Sequence, residues 1–178
     1  RDYLAGSVMT DISRIALVGN PNCGKTSLFN QLTGTRQQVA NYAGVTVERK
    51  EGRILLPSGG QMLVLDLPGA YSLNATSPDE AITHAVCLGE LVDEPAPDLI
   101  VCVADATNLR LHLRFVLEAM RLGRPMILAL NMMDAAKRRG ITIDVAALSA
   151  TLGIEIVETI ATRRDGVNAL LQTLDKPL

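Results

Sequence analysis

A glycine-rich segment between a predicted strand and a predicted helix constrains this sequence more than any other feature. Residues 19–26 read GNPNCGKT, which is the pattern G-x-x-x-x-G-K-T; the apolar run 15–19 leads into it and the amphipathic stretch 25–33 follows. In this context the glycines let the chain wrap with its N–H groups inward, and the helix N-terminus adds partial positive charge. The segment therefore predicts a phosphate-binding loop rather than a glycine-rich turn with a chance lysine.

Apolar runs alternate with helical patterns along the rest of the chain. The predicted strands are residues 15–19, 62–67, 98–105, 125–131 and 154–158, and the predicted helices are 25–33, about 78–91, 109–122, 144–151 and 166–174. Residues 46–57 predict an extra strand, which the turn PSGG folds back antiparallel on 61–66. We expect an α/β fold with a mostly parallel six-stranded sheet, one antiparallel edge strand and helices on both faces.

Composition and charge exclude several classes of protein. The formal net charge of −2 gives no general attraction to nucleic acid, so we expect no nucleic-acid partner. The three cysteines, Cys23, Cys87 and Cys102, show neither a metal-ligand spacing nor a disulfide framework. We expect residues 1–8 to be an added or disordered N-terminal segment and residues 9–178 to form one folded domain.

The phosphate loop and a second motif predict a site for phosphates and Mg²⁺. The loop residues expected to contact a nucleotide are Gly19, Asn22, Cys23, Gly24, Lys25, Thr26 and Ser27. Lys25 would reach the β- and γ-phosphates, and the Thr26 hydroxyl would bind Mg²⁺. The motif DLPG ends a predicted strand, so that Asp66 meets Mg²⁺ through water and Gly69 presents its N–H to the γ-phosphate.

A polar stretch between the phosphate loop and the hairpin is interpreted as a switch. Residues 37–48 contain glycine and are predicted to be structureless. Thr46 is the hydroxyl near the end of this stretch, and it could close on Mg²⁺ and the γ-phosphate and be released on hydrolysis. The alternative is an ordinary strand threonine.

Two further loops predict how the base is chosen. Residues 131–134 read NMMD at the end of a strand, where ligands of open α/β sheets bind. Asp134 can accept hydrogen bonds from N1–H and N2–H₂ of guanine, a donor pair that adenine lacks. Five residues are expected at the base, namely Asn131, Met132, Asp134, Ala161 and Thr162. Asn131 would tie this loop to the phosphate loop, and the N–H of Ala161 would donate to guanine O6. The alternative for NMMD is a helix N-cap.

Five motifs together resemble one family. GNPNCGKTSLFNQLTG, NYAGVTVERKEG, DLPGAYSL, VADATNL and NMMD occur in this order over roughly residues 12–175. They closely resemble the cytosolic G domain of the FeoB family of bacterial ferrous iron transporters. The resemblance implies a Ras-like P-loop NTPase fold, GTP or GDP with Mg²⁺, and a G domain on the cytoplasmic side of the inner membrane. It also implies a helical domain and a transmembrane iron-permeation domain in the intact protein, and it leaves a homo-oligomer open.

The same resemblance implies activation by K⁺. Ras-like enzymes carry a water-orienting glutamine where this chain has Ala70. In K⁺-activated GTPases an asparagine at the position of Asn22 helps hold the ion, and the family places backbone carbonyls near Ala40 and Tyr42 around it. The residues expected to carry catalysis are Asn22, Lys25, Thr46 and Gly69. The alternative for Asn22 is an amide that stabilises the loop.

Three functions follow from this interpretation. The leading one is a GTPase switch that regulates ferrous iron uptake. The second is a soluble K⁺-dependent GTPase of RNA modification or ribosome assembly, and the third is a nucleotide-dependent docking module with incidental hydrolysis.

Two departures from the usual motifs bear on the base site, since Met132 stands where lysine is commoner and Ile160 stands where a serine often precedes Ala161.

Overall fold

The structure is a computed structural model that describes residues 13–74 and 76–177. Its strands are β1 Ser13–Gly19, β2 Gln37–Asn41, β3 Glu48–Leu55, β4 Gln61–Asp66, β5 Leu99–Asp105, β6 Met126–Asn131 and β7 Glu155–Thr159. Its α-helices are α1 Lys25–Thr33, α2 Pro78–Leu88, α3 Leu109–Met120, α4 Met133–Arg138, α5 Val145–Leu152 and α6 Asn168–Leu174. The predicted N-terminal segment 1–8 lies outside the described residues.

One sheet contains all these strands, in the order β2-β3-β4-β1-β5-β6-β7. The central strand β1 pairs in parallel with β4 and β5, and the pairs β5–β6 and β6–β7 are also parallel. Within this sheet, β3 alone points in the direction opposite to the other strands, because it is antiparallel to both β2 and β4. The predicted α/β fold with a mostly parallel sheet is confirmed, whereas the strand count of six is wrong, since the described sheet has seven.

The strand missed by the prediction is β2, which lies in the stretch 37–48 that we expected to be structureless. Its five residues, QQVAN, are mostly exposed. The strand is held by backbone pairing with β3, with Ala40 opposite Arg49, rather than by burial of an apolar face. A strand that buries neither face shows no hydrophobic alternation, so the sequence pattern carried no signal for it. The antiparallel strand is consequently second from the edge of the sheet.

Two hydrophobic clusters cover the two faces of the sheet. Alternate residues of β1 divide between them, since Ala16 and Val18 belong to one cluster while Ile15 and Leu17 belong to the other. The first cluster includes buried residues of α2, α3 and α4, and the second includes buried residues of α1 and α6. The prediction of helices on both faces is therefore confirmed. Coverage on both faces explains why the central strands are apolar without alternation.

The helix ends follow local signals, and α2 shows them most clearly. Its N-cap Ser77 Oγ accepts a hydrogen bond from the Glu80 N–H at 3.2 Å, and Pro78 occupies the first position. Gly89, with φ of 69°, ends α2 earlier than the predicted residue 91. The short helix α4 was not predicted, because six residues are too few to show a period. No helix within residues 13–74 and 76–177 is long and apolar enough to cross a membrane.

The predicted hairpin of β3 and β4 is confirmed. At its turn, the Leu56 N–H donates to the Gly60 carbonyl at 2.8 Å and the Gly59 N–H donates to the Leu56 carbonyl at 2.9 Å. The Ser58 N–H and Oγ both donate to the carboxylate of Asp175, at 2.9 and 2.6 Å. The hairpin tip is thereby attached to the C-terminal end of α6.

Candidate functional site

The loop between β1 and α1 borders a cavity of about 490 Å³ at the carboxyl end of the sheet. Asn22 and Gly24 have φ values of 64° and 89°, so the chain turns sharply before α1 begins at Lys25. Among the described residues, no side chain caps the N-terminus of α1, so the first-turn N–H groups stay available to a ligand. The cavity is lined by Asn20, Pro21, Asn22, Gly24, Lys25, Thr26, Ser27, Gly69 and Met132. Helix N–H groups and a lysine together suit an anion such as phosphate.

Gly24 lies against the side chain of Asn131 at the end of β6. A Cβ atom on Gly24 would lie 2.1 Å from Asn131 Nδ2, and this nitrogen donates to the Cys23 carbonyl at 3.2 Å. Asn131 Oδ1 accepts hydrogen bonds from Thr159 Oγ1 at 3.2 Å and from the Ala161 N–H at 3.0 Å. The buried amide therefore joins the phosphate loop to β6 and to the segment after β7, which is the tie that the sequence predicted.

A second cavity, of about 380 Å³, adjoins the first and brings the predicted magnesium ligands together. Thr26, Thr46 and Asp66 all line it, and so does Gly69. Lys25 lines both cavities, and its Nζ forms an ion pair with the carboxylate of Asp66. Both partners of this ion pair are buried. Two hydroxyls and one carboxylate thus face one space, and oxygen ligands of this kind are those that Mg²⁺ prefers.

Three charged residues that the sequence analysis assigned no role also line the second cavity, namely Glu48, Lys50 and Asp79. Lys50 stands directly opposite Asp66 in the β3–β4 ladder, so the two side chains share one face of the sheet. The register of the predicted hairpin could have identified Lys50 once Asp66 was assigned. Asp79 lies in the first turn of α2, where its charge complements the helix dipole.

The residues predicted to hold the base are only partly assembled. Met132, with φ of 65°, lines the first cavity. Asp134 and Thr162 line neither of the two cavities described above. The Ala161 N–H already donates to Asn131 Oδ1 at 3.0 Å, so guanine O6 would have to share this donor with the amide.

The surroundings of Asp134 favour its ionised form. Burial raises the pKa of this carboxyl, but the Ala135 N–H and the guanidinium groups of Arg138 and Arg163 outweigh burial, so the net effect lowers the pKa. Arg138 Nη1 donates to Asp134 Oδ2 at 3.1 Å. An ionised carboxylate only accepts hydrogen bonds, which matches the paired donors on the edge of guanine.

The structure does not bring the three predicted potassium ligands together. Asn22 lines the first cavity, whereas Tyr42 lines a third one. Ala40 pairs with Arg49 in the β2–β3 ladder, and the Tyr42 N–H donates to the Val47 carbonyl at 3.0 Å. The predicted potassium ligands Asn22, Ala40 and Tyr42 are therefore not gathered around one of these cavities.

Comparison with known proteins assigns the family. Residues 13–174 match the family described as "Ferrous iron transport protein B". The chain belongs to this family. The Fe(2+) transporter FeoB of Escherichia coli K12 is 45% identical over 162 residues, which cover 91% of this chain and 21% of that protein. The chain thus spans about a fifth of the length of the transporters that it matches.

Solved FeoB structures share the fold of this chain. The cytosolic domain of L. pneumophila FeoB superposes with a TM-score of 0.80 at 44% identity, over 91% of this chain and 67% of that one. The cytosolic domain of T. maritima FeoB in its GDP form II superposes with a TM-score of 0.84 at 41% identity, over 92% of this chain and 62% of that one. Its GMPPNP form superposes with a TM-score of 0.81 at 42% identity, over 92% of this chain and 61% of that one. The fold is therefore the P-loop NTPase fold of a FeoB G domain.

Within this FeoB G domain, the phosphate loop carries a cysteine whose role the structure clarifies. Cys23 is fully buried, and burial raises the pKa of its thiol to about 11. A Cβ atom on Gly19 would lie 2.8 Å from the Cys23 sulfur, so the thiol is packed tightly into the loop. The thiol therefore fills space in the loop rather than acting as a redox-sensitive group, because a reactive cysteine needs exposure and a lowered pKa.

We predict that Gly24→Ala destabilises the domain by about 2–4 kcal/mol, because alanine is strained at positive φ and its methyl group displaces the Asn131 amide. Chemical denaturation measures this loss. Gly59→Ala is the matched control, since Gly59 has a φ of 92°, similar to that of Gly24. Among the described residues, no atom beyond the neighbouring positions would lie within 4 Å of a Cβ atom on Gly59. An equal loss in both variants would show that φ alone, and not the contact with Asn131, requires glycine at position 24.

Proposed function

We propose that this domain binds GTP with Mg²⁺ and hydrolyses it to GDP and phosphate. The observation that carries the proposal is the convergence of the phosphate loop, Asp66, Gly69 and Thr46 on two adjoining cavities at the carboxyl ends of parallel strands. The GDP and GMPPNP forms of the related T. maritima domain support a guanine nucleotide as the ligand.

Five residues of the second cavity have roles in this proposal. Lys25 would exchange its ion pair with Asp66 for contacts to the β- and γ-phosphates, and the Gly69 N–H would donate to the γ-phosphate. Thr26, Thr46 and Asp66 would hold the Mg²⁺. When bound, this ion neutralises charge that develops on the transferred phosphoryl group.

The function of the whole protein is inferred from the family. We propose that the intact chain carries a transmembrane iron-permeation domain, and that GTP hydrolysis on the cytoplasmic side of the bacterial inner membrane regulates the uptake of ferrous iron. Support comes from the family match over residues 13–174 and from the printed name of the E. coli relative. The proposed partners of this domain are the guanine nucleotide and the membrane domain of the same polypeptide.

For guanine selection, we predict that Asp134→Asn weakens GTP binding by about tenfold or more, because a bidentate base contact contributes about 1–3 kcal/mol of discrimination. The same variant should still bind xanthosine triphosphate, because the C2 carbonyl of xanthine can accept a hydrogen bond from the amide NH₂ of the new asparagine. Titration calorimetry with both nucleotides gives the two affinities. Unchanged GTP affinity would remove Asp134 from the base site.

We further propose that K⁺ stimulates hydrolysis and that Asn22 is one of its ligands, since Ala70 cannot orient a water molecule. Asn22→Gly is the suitable variant, because glycine keeps the φ of 64° without strain. We predict that single-turnover hydrolysis by the wild-type domain is faster in K⁺ than in Na⁺, and that Asn22→Gly abolishes this difference while GTP affinity stays within about threefold. Loss of nucleotide binding together with the stimulation would contradict the ion-ligand role.

A further inference from the structure

We propose that Arg49 and Glu94 position the loop that carries Thr46, by fastening the base of this loop to the segment that follows α2. The inference rests on the proposed GTPase function and adds two positioning residues to it. Neither residue lines the two cavities of the candidate site.

The contact between the two side chains is bidentate and largely buried. Arg49 Nε donates to Glu94 Oε2 at 2.9 Å, and Arg49 Nη2 donates to Glu94 Oε1 at 3.0 Å. Arg14 Nη1, from β1, also donates to Glu94 Oε1, at 3.1 Å. Glu94 is only 8% exposed. Two parallel hydrogen bonds from one guanidinium fix the relative orientation of the partners more strictly than a point charge would.

The position of the two residues along the chain connects them to Thr46. Arg49 is the second residue of β3, three residues after Thr46, and pairs with Ala40 of β2. Glu94 lies in the segment between α2 and β5. The ion pair therefore fixes the C-terminal side of the loop to the segment that follows α2, the helix whose first turn contributes Asp79 to the second cavity.

Backbone hydrogen bonds connect the N-terminal end of the same loop to the strand that carries Arg49. The Tyr42 N–H donates to the Val47 carbonyl at 3.0 Å, and this bond closes the loop. Tyr42 is 5% exposed, and burial and the charge of Glu94 raise the pKa of its hydroxyl while Arg49 opposes that shift. Asn41 and Ala40 pair with Glu48 and Arg49 in the β2–β3 ladder, so the ion pair at Arg49 holds the base of the loop and limits where Thr46 can lie.

Two physical arguments favour a positioning role over a purely stabilising one. A buried ion pair often contributes no more stability than apolar residues of similar volume, because desolvation offsets the attraction between the charges. The Tyr42 hydroxyl, from the residue at the start of the loop, is buried and has no hydrogen-bond partner among the described residues, which lowers stability further. The junction is therefore poorly suited to stability alone but well suited to a defined geometry.

The test compares Arg49→Met, Glu94→Gln and the double variant with the wild-type domain, at a temperature at which all four are folded. Single-turnover hydrolysis is measured with Mg²⁺ and K⁺ and with the domain in excess over GTP, at a concentration of the domain that binds all the nucleotide; GDP affinity is measured by calorimetry. We predict that each single variant lowers the hydrolysis rate by about tenfold or more, because misplacing a catalytic group is costly, while GDP affinity stays within about threefold. The double variant should be no slower than the slower single variant, because Arg49→Met already removes the contact with Glu94, together with the second ion pair of Arg49, to Glu51.

Two further variants separate positioning from a general effect of charge. Arg49→Lys keeps the charge but cannot make the bidentate contact with Glu94, so it should restore the rate only in part. Arg53→Met is the matched control on the same strand, because the Arg53 side chain is exposed. Among the described residues, this side chain donates one hydrogen bond, to the side chain of Gln61 at 3.4 Å. The rate of Arg53→Met should equal that of the wild-type domain.

Rates within about twofold of wild type in Glu94→Gln, the isosteric change, would overturn the inference even if Arg49→Met failed to fold. A matching loss of rate in Arg53→Met would overturn it as well, because the effect would then not be specific to the ion pair. If the wild-type domain itself binds no GTP, the proposed function fails first, and that result is distinct from either of these.

Discussion

The contact between Gly24 and Asn131 is the constraint on which the rest of the site depends. The amide of Asn131 reaches the phosphate loop because Gly24 has no Cβ atom. A Cβ atom at this position would lie 2.1 Å from Asn131 Nδ2. The other end of the amide accepts two hydrogen bonds from the segment that contains Thr159 and Ala161. One buried side chain thus fixes the loop before α1 relative to the ends of β6 and β7, where the predicted base motifs lie.

Charge compensation organises the remainder of the site. The ion pair of Lys25 and Asp66 keeps two buried charges balanced within the fold. A triphosphate and Mg²⁺ arriving together can replace this pair by two new ones, lysine with phosphate and carboxylate with metal, so that neither protein charge is left unpaired. The Ala70 N–H donates to the Gly19 carbonyl at 3.1 Å, which attaches the segment carrying Asp66 to the phosphate loop.

Much of the fold was predictable from the sequence, and so was the grouping of Thr26, Asp66 and Gly69 around one cavity, because buried parallel strands and glycine-dependent turns leave strong local patterns. The strand β2 was not predictable, because QQVAN is held by backbone pairing and is mostly exposed. The ion pair of Arg49 and Glu94 joins residues 45 positions apart, so no local pattern indicates it. The hydrogen bond from the Ala161 N–H to Asn131 was also invisible, because it depends on how the ends of β6 and β7 meet.

The central claim is that a backbone cradle at the start of α1 holds a triphosphate while Asp134 selects guanine. Titration calorimetry of the domain with GTP and with ATP, both in the presence of Mg²⁺, tests this claim most directly. We predict that GTP binds more than about tenfold more tightly than ATP, in line with the discrimination available from one bidentate base contact. Equal affinities for the two nucleotides, or no binding of either, would contradict the account.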